Sequence, residues 1–210
     1  PSRGLGDVYK RQAMKTCIFI TGTNAVGKSA LAWALIERFG GVDRITNDVT
    51  YCVEGSVCLA GKYGVTRFGG VDRITNENGA SCTSRLAAVV EEGLRNADTI
   101  ICEGSFMNTF GLNLTNAMFK ADRHLLVSLW TDSKTIYDRL TSRSNGKYGN
   151  GKRNFPKIIT KQRQAMVAAR KWQSIGVKVL QFNTAQTTIE EELTAILKAI
   201  GKEEYCNDNK

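Results

Sequence analysis

The sequence has little of what metal-centred and disulfide-stabilised proteins need. It contains one histidine and six cysteines, and no two of the cysteines form a Cys-x-x-Cys pair. This pattern excludes the common zinc sites, argues against a disulfide framework and is typical of a protein from a reducing compartment. The sequence also has no apolar run long enough to cross a bilayer. We therefore expect a soluble cytoplasmic protein.

Acidic residues are missing from one long stretch of the chain. No Asp or Glu occurs between Asp138 and Glu190, whereas basic residues recur from Arg139 to Arg170. The whole chain carries a formal net charge of +9. A long block of one sign favours contact with phosphate groups of a polyanion. A solvated helix face is an equally good interpretation at this point.

One motif carries most of the functional information. It has the form G-x-x-x-x-G-K-S and consists of Gly22, Thr23, Asn24, Ala25, Val26, Gly27, Lys28 and Ser29. An apolar run precedes it and a helical pattern follows, which is the strand–loop–helix context of a phosphate-binding loop, or P-loop. Backbone N–H groups and the helix N-terminus would hold the phosphates. Lys28 would bridge the β- and γ-phosphates and Ser29 would ligate the metal, so we predict ATP and Mg²⁺ as cofactors.

Apolar segments of strand and helix type alternate along the chain, which predicts an α/β fold. Strands are expected at 16–21, 42–46, 99–102, 125–130 and 177–182. We predict a three-layer P-loop kinase fold, a five-stranded, mainly parallel sheet with helices on both faces.

The domain limits follow from composition. Residues 1–13 precede Met14 and are interpreted as a non-native leader. Residues 14–201 form one kinase domain, the Gly- and Asn-rich segment at about 144–155 is its mobile lid, and the polar residues 202–210 are a flexible tail.

A nonapeptide occurs twice without change, at Phe39–Asn47 and Phe68–Asn76. Two copies with dissimilar flanks do not make a stacked repeat array, which needs three or more units. We expect the first copy to contain the second strand and the other to be a Gly-rich loop.

Glu103 at the end of the third predicted strand, and Arg139 and Arg143 before the Gly-rich lid, resemble residues of the nucleotide and polynucleotide kinases. That resemblance implies a carboxylate base after the second or third strand. Asp48 is the candidate, placed as in phage polynucleotide 5′-kinases, with an Asx turn as the alternative. Glu103 would hold Mg²⁺ through water or be the base instead. Arg143 would neutralise the transferring phosphoryl group, and Arg139 would flank the adenine together with the loop at Thr184.

A narrower resemblance covers nearly the whole chain after the leader. Gly61-Lys62-Tyr63 and Gly69-Gly70-Val71-Asp72 look like the G-x-Y…G-G-x-D element of viral P-loop kinases that phosphorylate 5-hydroxymethyluracil or 5-hydroxymethylcytosine in DNA. That phosphorylation is a step of bacteriophage DNA hypermodification in the host cytoplasm. The resemblance implies hydroxymethylated DNA as partner. The implied substrate contacts are Tyr63, Gly69, Gly70, Asp72, Lys152 and Arg153, with ordinary packing as the alternative for Tyr63.

Two other functions use the same catalytic residues and stay open. One is a kinase for nucleoside monophosphates or another small alcohol. The other is a P-loop ATPase module that transfers phosphate to no alcohol.

Overall fold

The computed structural model describes residues 14–45, 49–52, 56–63, 69–74, 82–143 and 155–206. The described strands are β1 (Thr16–Thr21), β2 (Val42–Ile45), β3 (Val49–Cys52), β4 (Val57–Ala60), β5 (Thr99–Glu103), β6 (Arg123–Trp130) and β7 (Lys178–Asn183). The described α-helices are α1 (Lys28–Arg38), α2 (Cys82–Asn96), α3 (Leu112–Met118), α4 (Ser133–Arg143), α5 (Phe155–Ser174) and α6 (Ile189–Ile200). The strands form one sheet in the order β2-β3-β4-β5-β1-β6-β7.

Five of these strands, β4-β5-β1-β6-β7, run parallel and form the centre of the sheet. β1 lies between β5 and β6, and all six of its residues are buried. Its continuous apolar character is what a strand covered on both faces requires. The predicted α/β fold with a mainly parallel five-stranded sheet is confirmed.

Helices cover both faces of the sheet. On one face, Leu86 of α2, Leu114 of α3 and Trp172 of α5 pack in one core. On the other face, Leu31 of α1 packs with Leu197 of α6. Each of these side chains is at most 2 % exposed, so each face has a dry core. The three predicted layers therefore follow from two apolar cores that sandwich one sheet.

The second predicted strand needs a correction. It exists as β2, but it lies at the outer edge of the sheet and pairs antiparallel with β3. The parallel strand beside β5 is β4, which lies in a stretch that the sequence pattern left irregular. All four residues of β4 are buried. A four-residue run buried on both faces shows no alternation, so its strand character could not be distinguished from the sequence.

The two copies of the nonapeptide adopt different structures. In the first copy, Val42–Ile45 is β2, whereas in the second, Val71–Arg73 is a short 3₁₀ helix. Tertiary contacts decide between the two conformations, because the local sequence is the same.

The C-terminal segment that we predicted to be flexible is ordered up to Cys206. Glu203–Cys206 forms a 3₁₀ turn. Arg38 of α1 donates to the carbonyl oxygen of Tyr205 at 3.1 Å, and the Phe39 and Tyr205 rings lie 4.6 Å apart. The expectation of a frayed tail is therefore wrong for these residues. The leader and most of the lid lie outside the described residues.

None of the helices in the described ranges has the length and apolar character needed to span a membrane.

Candidate active site

The P-loop connects β1 to α1 at the carboxyl edge of the sheet. Gly22 has φ 142°, and a Cβ there would lie 2.5 Å from the carbonyl oxygen of Leu129, so only glycine fits. Gly27 precedes α1 in the left-handed conformation. α1 has neither a side-chain cap nor an acidic residue in its first turn. No side chain of the helix therefore neutralises the partial positive charge at its N-terminus, and this charge suits a phosphate.

Two P-loop side chains make hydrogen bonds within the site. The Lys28 Nζ donates to the carbonyl oxygen of Thr23 at 2.8 Å. The Ser29 Oγ donates to the Oε1 of Glu103, the last residue of β5, at 3.0 Å. The hydroxyl and the carboxylate are thus adjacent.

This pair of oxygen groups fits a magnesium ion. Mg²⁺ is usually bound by one or two protein oxygens together with phosphate oxygens and water. No cluster of three or more His, Cys, Asp or Glu side chains that could hold a metal occurs in the described part of the chain. The metal would therefore depend on Ser29, on Glu103, directly or through water, and on the nucleotide.

Glu103 is a buried carboxyl group at the centre of this site. Only 2 % of the residue is exposed. Burial raises the pKa of Glu103, although the charge of Lys28 and the hydrogen bond from Ser29 act in the opposite direction. Titratable groups whose pKa is shifted by burial and by nearby charges are common at catalytic sites.

Tyr63 belongs to the surroundings of Glu103. Burial, followed by the nearby Glu103 carboxylate, raises the pKa of the Tyr63 phenol. Its hydroxyl is buried without a partner of good hydrogen-bond geometry among the described residues. The ring packs edge-on against Trp33, with 5.4 Å between the centroids. The structure thus shows Tyr63 in the packing position that was the alternative to stacking on a base.

The glycines of the second motif allow the chain to pass directly against Glu103. A Cβ on Gly70 would lie 2.4 Å from the Glu103 carbonyl oxygen and 2.5 Å from its Oε1. A Cβ on Gly69 would lie 1.8 Å from the carbonyl oxygen of Lys62. We interpreted Gly69 and Gly70 as sites of close approach to a base; their observed close contacts are with the protein itself.

Replacing Gly70 by alanine should therefore destabilise the protein by roughly 2–5 kcal/mol, because alanine would adopt an unfavourable positive φ and would also clash with Glu103. Two control variants separate these causes. Gly176 has φ +87° but open space around it, so its alanine variant should lose only about 1 kcal/mol. Gly111 has open space and extended backbone, so alanine should be neutral there. Chemical denaturation of the three variants measures the differences, and equal losses would contradict the explanation.

Asp72 connects this Gly-rich segment to the loop after β5. Its Oδ2 accepts from the backbone N–H of Ser105 at 2.7 Å and from the Ser105 hydroxyl at 2.6 Å, and its Oδ1 accepts from the N–H of Phe106 at 3.2 Å. These bonds fix the start of the 3₁₀ turn Ser105–Asn108, which we call the bridging turn. We predicted that Asp72 contacts the substrate. In the structure, both of its carboxylate oxygens accept hydrogen bonds from the protein itself.

The other end of the bridging turn holds the P-loop. The Oδ1 of Asn108 accepts from the Thr21 hydroxyl at 2.6 Å and from the N–H of Gly22 at 2.8 Å. Asn108 is 2 % exposed. Sequence reasoning missed this residue, since nothing in the spacing links position 108 to position 22.

Arg139 and Thr184 come together beside the P-loop, as the resemblance to kinases implied. The Arg139 Nη1 donates to the Thr184 hydroxyl at 2.9 Å and to the carbonyl oxygen of Ala25 at 3.3 Å, and Nη2 donates to the Thr184 carbonyl oxygen at 2.7 Å. They border a cavity of about 200 Å³ that Ile189 and Glu192 also line. The P-loop itself forms another wall of this cavity.

Replacing Arg139 by alanine should raise the KM for ATP by about 10-fold, because three charge-assisted hydrogen bonds that shape this cavity are lost. Turnover at saturating ATP should change little. Initial-rate kinetics at varied ATP test this, with Arg95, an exposed residue of α2, replaced by alanine as the control. A fall in turnover with unchanged KM would remove Arg139 from the nucleotide side.

A larger cleft of about 770 Å³ opens over the P-loop and the N-terminus of α1. Lys28, Ser29 and Glu103 line it together with Trp33, Asp72 and Arg73. Sequence reasoning did not single out Trp33 or Arg73. The i,i+4 spacing from Ser29 to Trp33 was the available signal for the first, and the neighbouring Asp72 was the signal for the second.

Several predicted residues cannot be placed. Asp48, Lys152 and Arg153 lie outside the described residues, as does the side chain of Arg143, the last residue of α4. Their predicted roles stay predictions.

No protein-family model matches the sequence, and no curated protein matches it. Among solved structures, the chain is similar to the YorR protein of Bacillus subtilis, determined in complex with phosphorylated GDP, with 15% identity, a TM-score of 0.55, and coverage of 90% of this chain and 98% of that one. It is also similar to the protein APE1195, with 13% identity, a TM-score of 0.51, and coverage of 90% and 96%. These similarities show the fold, an α/β fold with helices on both faces of a mainly parallel sheet.

Proposed function

We propose that the protein is a kinase that transfers the γ-phosphoryl group of ATP to a hydroxyl group. The observation that carries this proposal is the large cleft, where Lys28, Ser29 and Glu103 meet open space next to the P-loop. An ATPase needs room only for water there. A cleft of about 770 Å³ accommodates an acceptor of nucleotide size.

The roles of the residues follow from the geometry. The P-loop backbone and the N-terminus of α1 bind the β- and γ-phosphates, and Lys28 neutralises charge on them. Mg²⁺, when bound, supplies further neutralisation of the phosphates. The acceptor oxygen forms the new bond to the γ-phosphorus while the bond from that phosphorus to the β–γ bridging oxygen breaks, which releases ADP.

A carboxylate must accept the proton that the acceptor hydroxyl loses. Asp72 is unsuited, because Ser105 and Phe106 occupy its oxygens. Glu103 accepts a hydrogen bond from Ser29, which supports a role in orienting the metal. Asp48 therefore stays our proposal for the base, with Glu103 as the alternative.

The acceptor that we propose is the hydroxymethyl group of a 5-hydroxymethylpyrimidine in DNA. The motif resemblance supports it, and so does the basic block. Lys157, Arg163 and Arg170 of α5 are exposed and form no ion pair with other described residues. A charged surface of this kind favours a polyanion.

The experiment is an incubation with γ-labelled ATP and three acceptors: DNA containing 5-hydroxymethyluracil, DNA containing 5-hydroxymethylcytosine, and the corresponding free nucleoside monophosphates. We expect label in one of the hydroxymethylated DNAs and none in unmodified DNA of the same sequence. Equal labelling of the free nucleotides would favour a small-molecule kinase, which the size of the cleft also permits. ATP hydrolysis without any labelled acceptor would favour the ATPase alternative.

A further inference from the structure

The large cleft contains a cation that has no partner among the described residues. Arg73 is exposed and lines this cleft. Its side chain makes no hydrogen bond or ion pair within the part of the chain that the structure describes. By contrast, Arg139 donates three hydrogen bonds to Thr184 and Ala25. We infer that Arg73 binds the phosphate group of the acceptor nucleotide, an inference that rests on the proposed kinase function.

The position of Arg73 is fixed by the backbone around it. It is the last residue of the 3₁₀ helix Val71–Arg73, and its N–H donates to the carbonyl oxygen of Gly70 at 3.2 Å. Gly70 contacts Glu103, and Asp72 is bound to the bridging turn. The backbone that carries the guanidinium group is preorganised, so little binding energy is lost in ordering the chain.

Arg73 lies on the acceptor side of Glu103. The P-loop leaves β1, Glu103 ends β5, and the Gly70 segment is bonded to Lys62 just after β4. Because the sheet order is β4-β5-β1, β4 lies about 10 Å from β1, on the far side of β5. The P-loop binds the phosphates of ATP on its own side, which leaves Arg73 for a different phosphate.

The chemistry of the neighbouring residues points to a nucleotide. A guanidinium group pairs well with a phosphate through two parallel hydrogen bonds. Trp33, half-buried in the wall of the same cleft, is an aromatic surface of the kind on which a base packs. The phosphate would be a phosphodiester if the acceptor is in DNA, and a monoester if the acceptor is a free nucleotide.

The test compares Arg73→Ala and Arg73→Lys with the wild-type protein. Steady-state kinetics would use a hydroxymethylated oligonucleotide, the matching nucleoside monophosphate and the nucleoside without phosphate. For whichever phosphate-bearing acceptor the wild type uses, Arg73→Ala should raise the acceptor KM about 10- to 100-fold, with turnover at saturation nearly unchanged. Lysine should restore part of the affinity. With the oligonucleotide, the salt dependence of binding should fall by about one unit of slope.

The repeated nonapeptide supplies a matched control. Arg44 has the same sequence neighbours as Arg73 but lies in β2, at the far edge of the sheet. Arg44→Ala should leave acceptor KM unchanged. An unchanged acceptor KM in Arg73→Ala would overturn the inference. A loss of turnover at saturating acceptor would also overturn it, because that result would assign Arg73 to the transferred phosphoryl group.

Failure of the proposed function would look different. If the wild-type protein phosphorylates none of the acceptors, the kinase proposal fails. Binding of a labelled hydroxymethylated oligonucleotide, followed by fluorescence anisotropy, then still decides on Arg73: weaker binding in Arg73→Ala than in Arg44→Ala supports a phosphate contact, and equal binding excludes it.

Discussion

Replacing Lys28 by alanine is expected to reduce phosphoryl transfer by about 10³-fold or more. The ammonium group lies where negative charge develops on the transferring phosphoryl group, and contacts of that kind contribute most to the transition state. The fold should be retained, since the hydrogen bond that Lys28 donates to the Thr23 carbonyl oxygen is a local contact within the P-loop. Turnover with saturating ATP and the best acceptor is the measurement.

A second lysine serves as the control for loss of charge. Lys120 forms a surface ion pair with Glu91 at 3.2 Å, away from the cleft. Lys120→Ala should retain wild-type turnover and nearly wild-type stability. Near-native activity in Lys28→Ala would refute the kinase proposal as a whole.

Replacing Glu103 by glutamine should lower activity and raise stability together. Transfer should fall roughly 10²-fold or more, the scale for losing a positioned carboxylate at a transfer site. A shift in the Mg²⁺ concentration needed for activity would show that Glu103 orients the metal. Loss of the acidic limb of the pH–rate profile would show that it is the base, and Asp48→Asn should then have only a small effect.

The gain in stability follows from the buried charge. Because burial raises the pKa of Glu103 in the folded state above the ordinary value of 4.5, ionisation of Glu103 opposes folding. That cost is absent below about pH 4.5, where the carboxyl is protonated in both states, and is fully present above the raised pKa. Glu103→Gln should therefore have a higher Tm than the wild type at neutral pH, and the difference should shrink on acidification. The measurement is thermal denaturation in the presence of a chelator.

Glu191 provides a control of opposite sign. It accepts hydrogen bonds from the backbone N–H and the hydroxyl of Thr188 at the start of α6, and these bonds lower its pKa. Its ionised form supports folding, so Glu191→Gln should slightly lower the Tm at neutral pH and leave transfer unchanged. A stabilised Glu191→Gln would contradict this electrostatic account.

The parts of the site that are local in sequence could be predicted. The P-loop, its strand and its helix lie within one short stretch, and the roles of Lys28 and Ser29 follow from that context. Glu103 could be singled out because it ends an apolar strand. The apolar runs of β1, β5, β6 and β7 could also be recognised, each within a few residues of its observed bounds.

The parts that depend on distant contacts could not be predicted. Asp72 binds Ser105 across 33 positions and Asn108 binds Gly22 across 86. Such pairs leave no periodic signal in a single sequence. β3 and β4 are four residues each, too short to show a pattern. The two nonapeptides make the limit plain, because one sequence forms a strand in one place and a 3₁₀ helix in another.

The bridging turn has a consequence for how this protein can change. Asp72 accepts a hydrogen bond from the first residue of this turn, and Asn108, its last residue, accepts one from the first glycine of the P-loop. The Gly69–Arg73 segment and the P-loop are therefore both held by the same four residues. Substitutions in the two halves of the cleft should therefore be epistatic: their free-energy effects on catalysis should not add. A new acceptor specificity would have to arise from coordinated changes on both sides of Ser105–Asn108, and transplanting the Gly69–Arg73 loop alone into a related scaffold should fail.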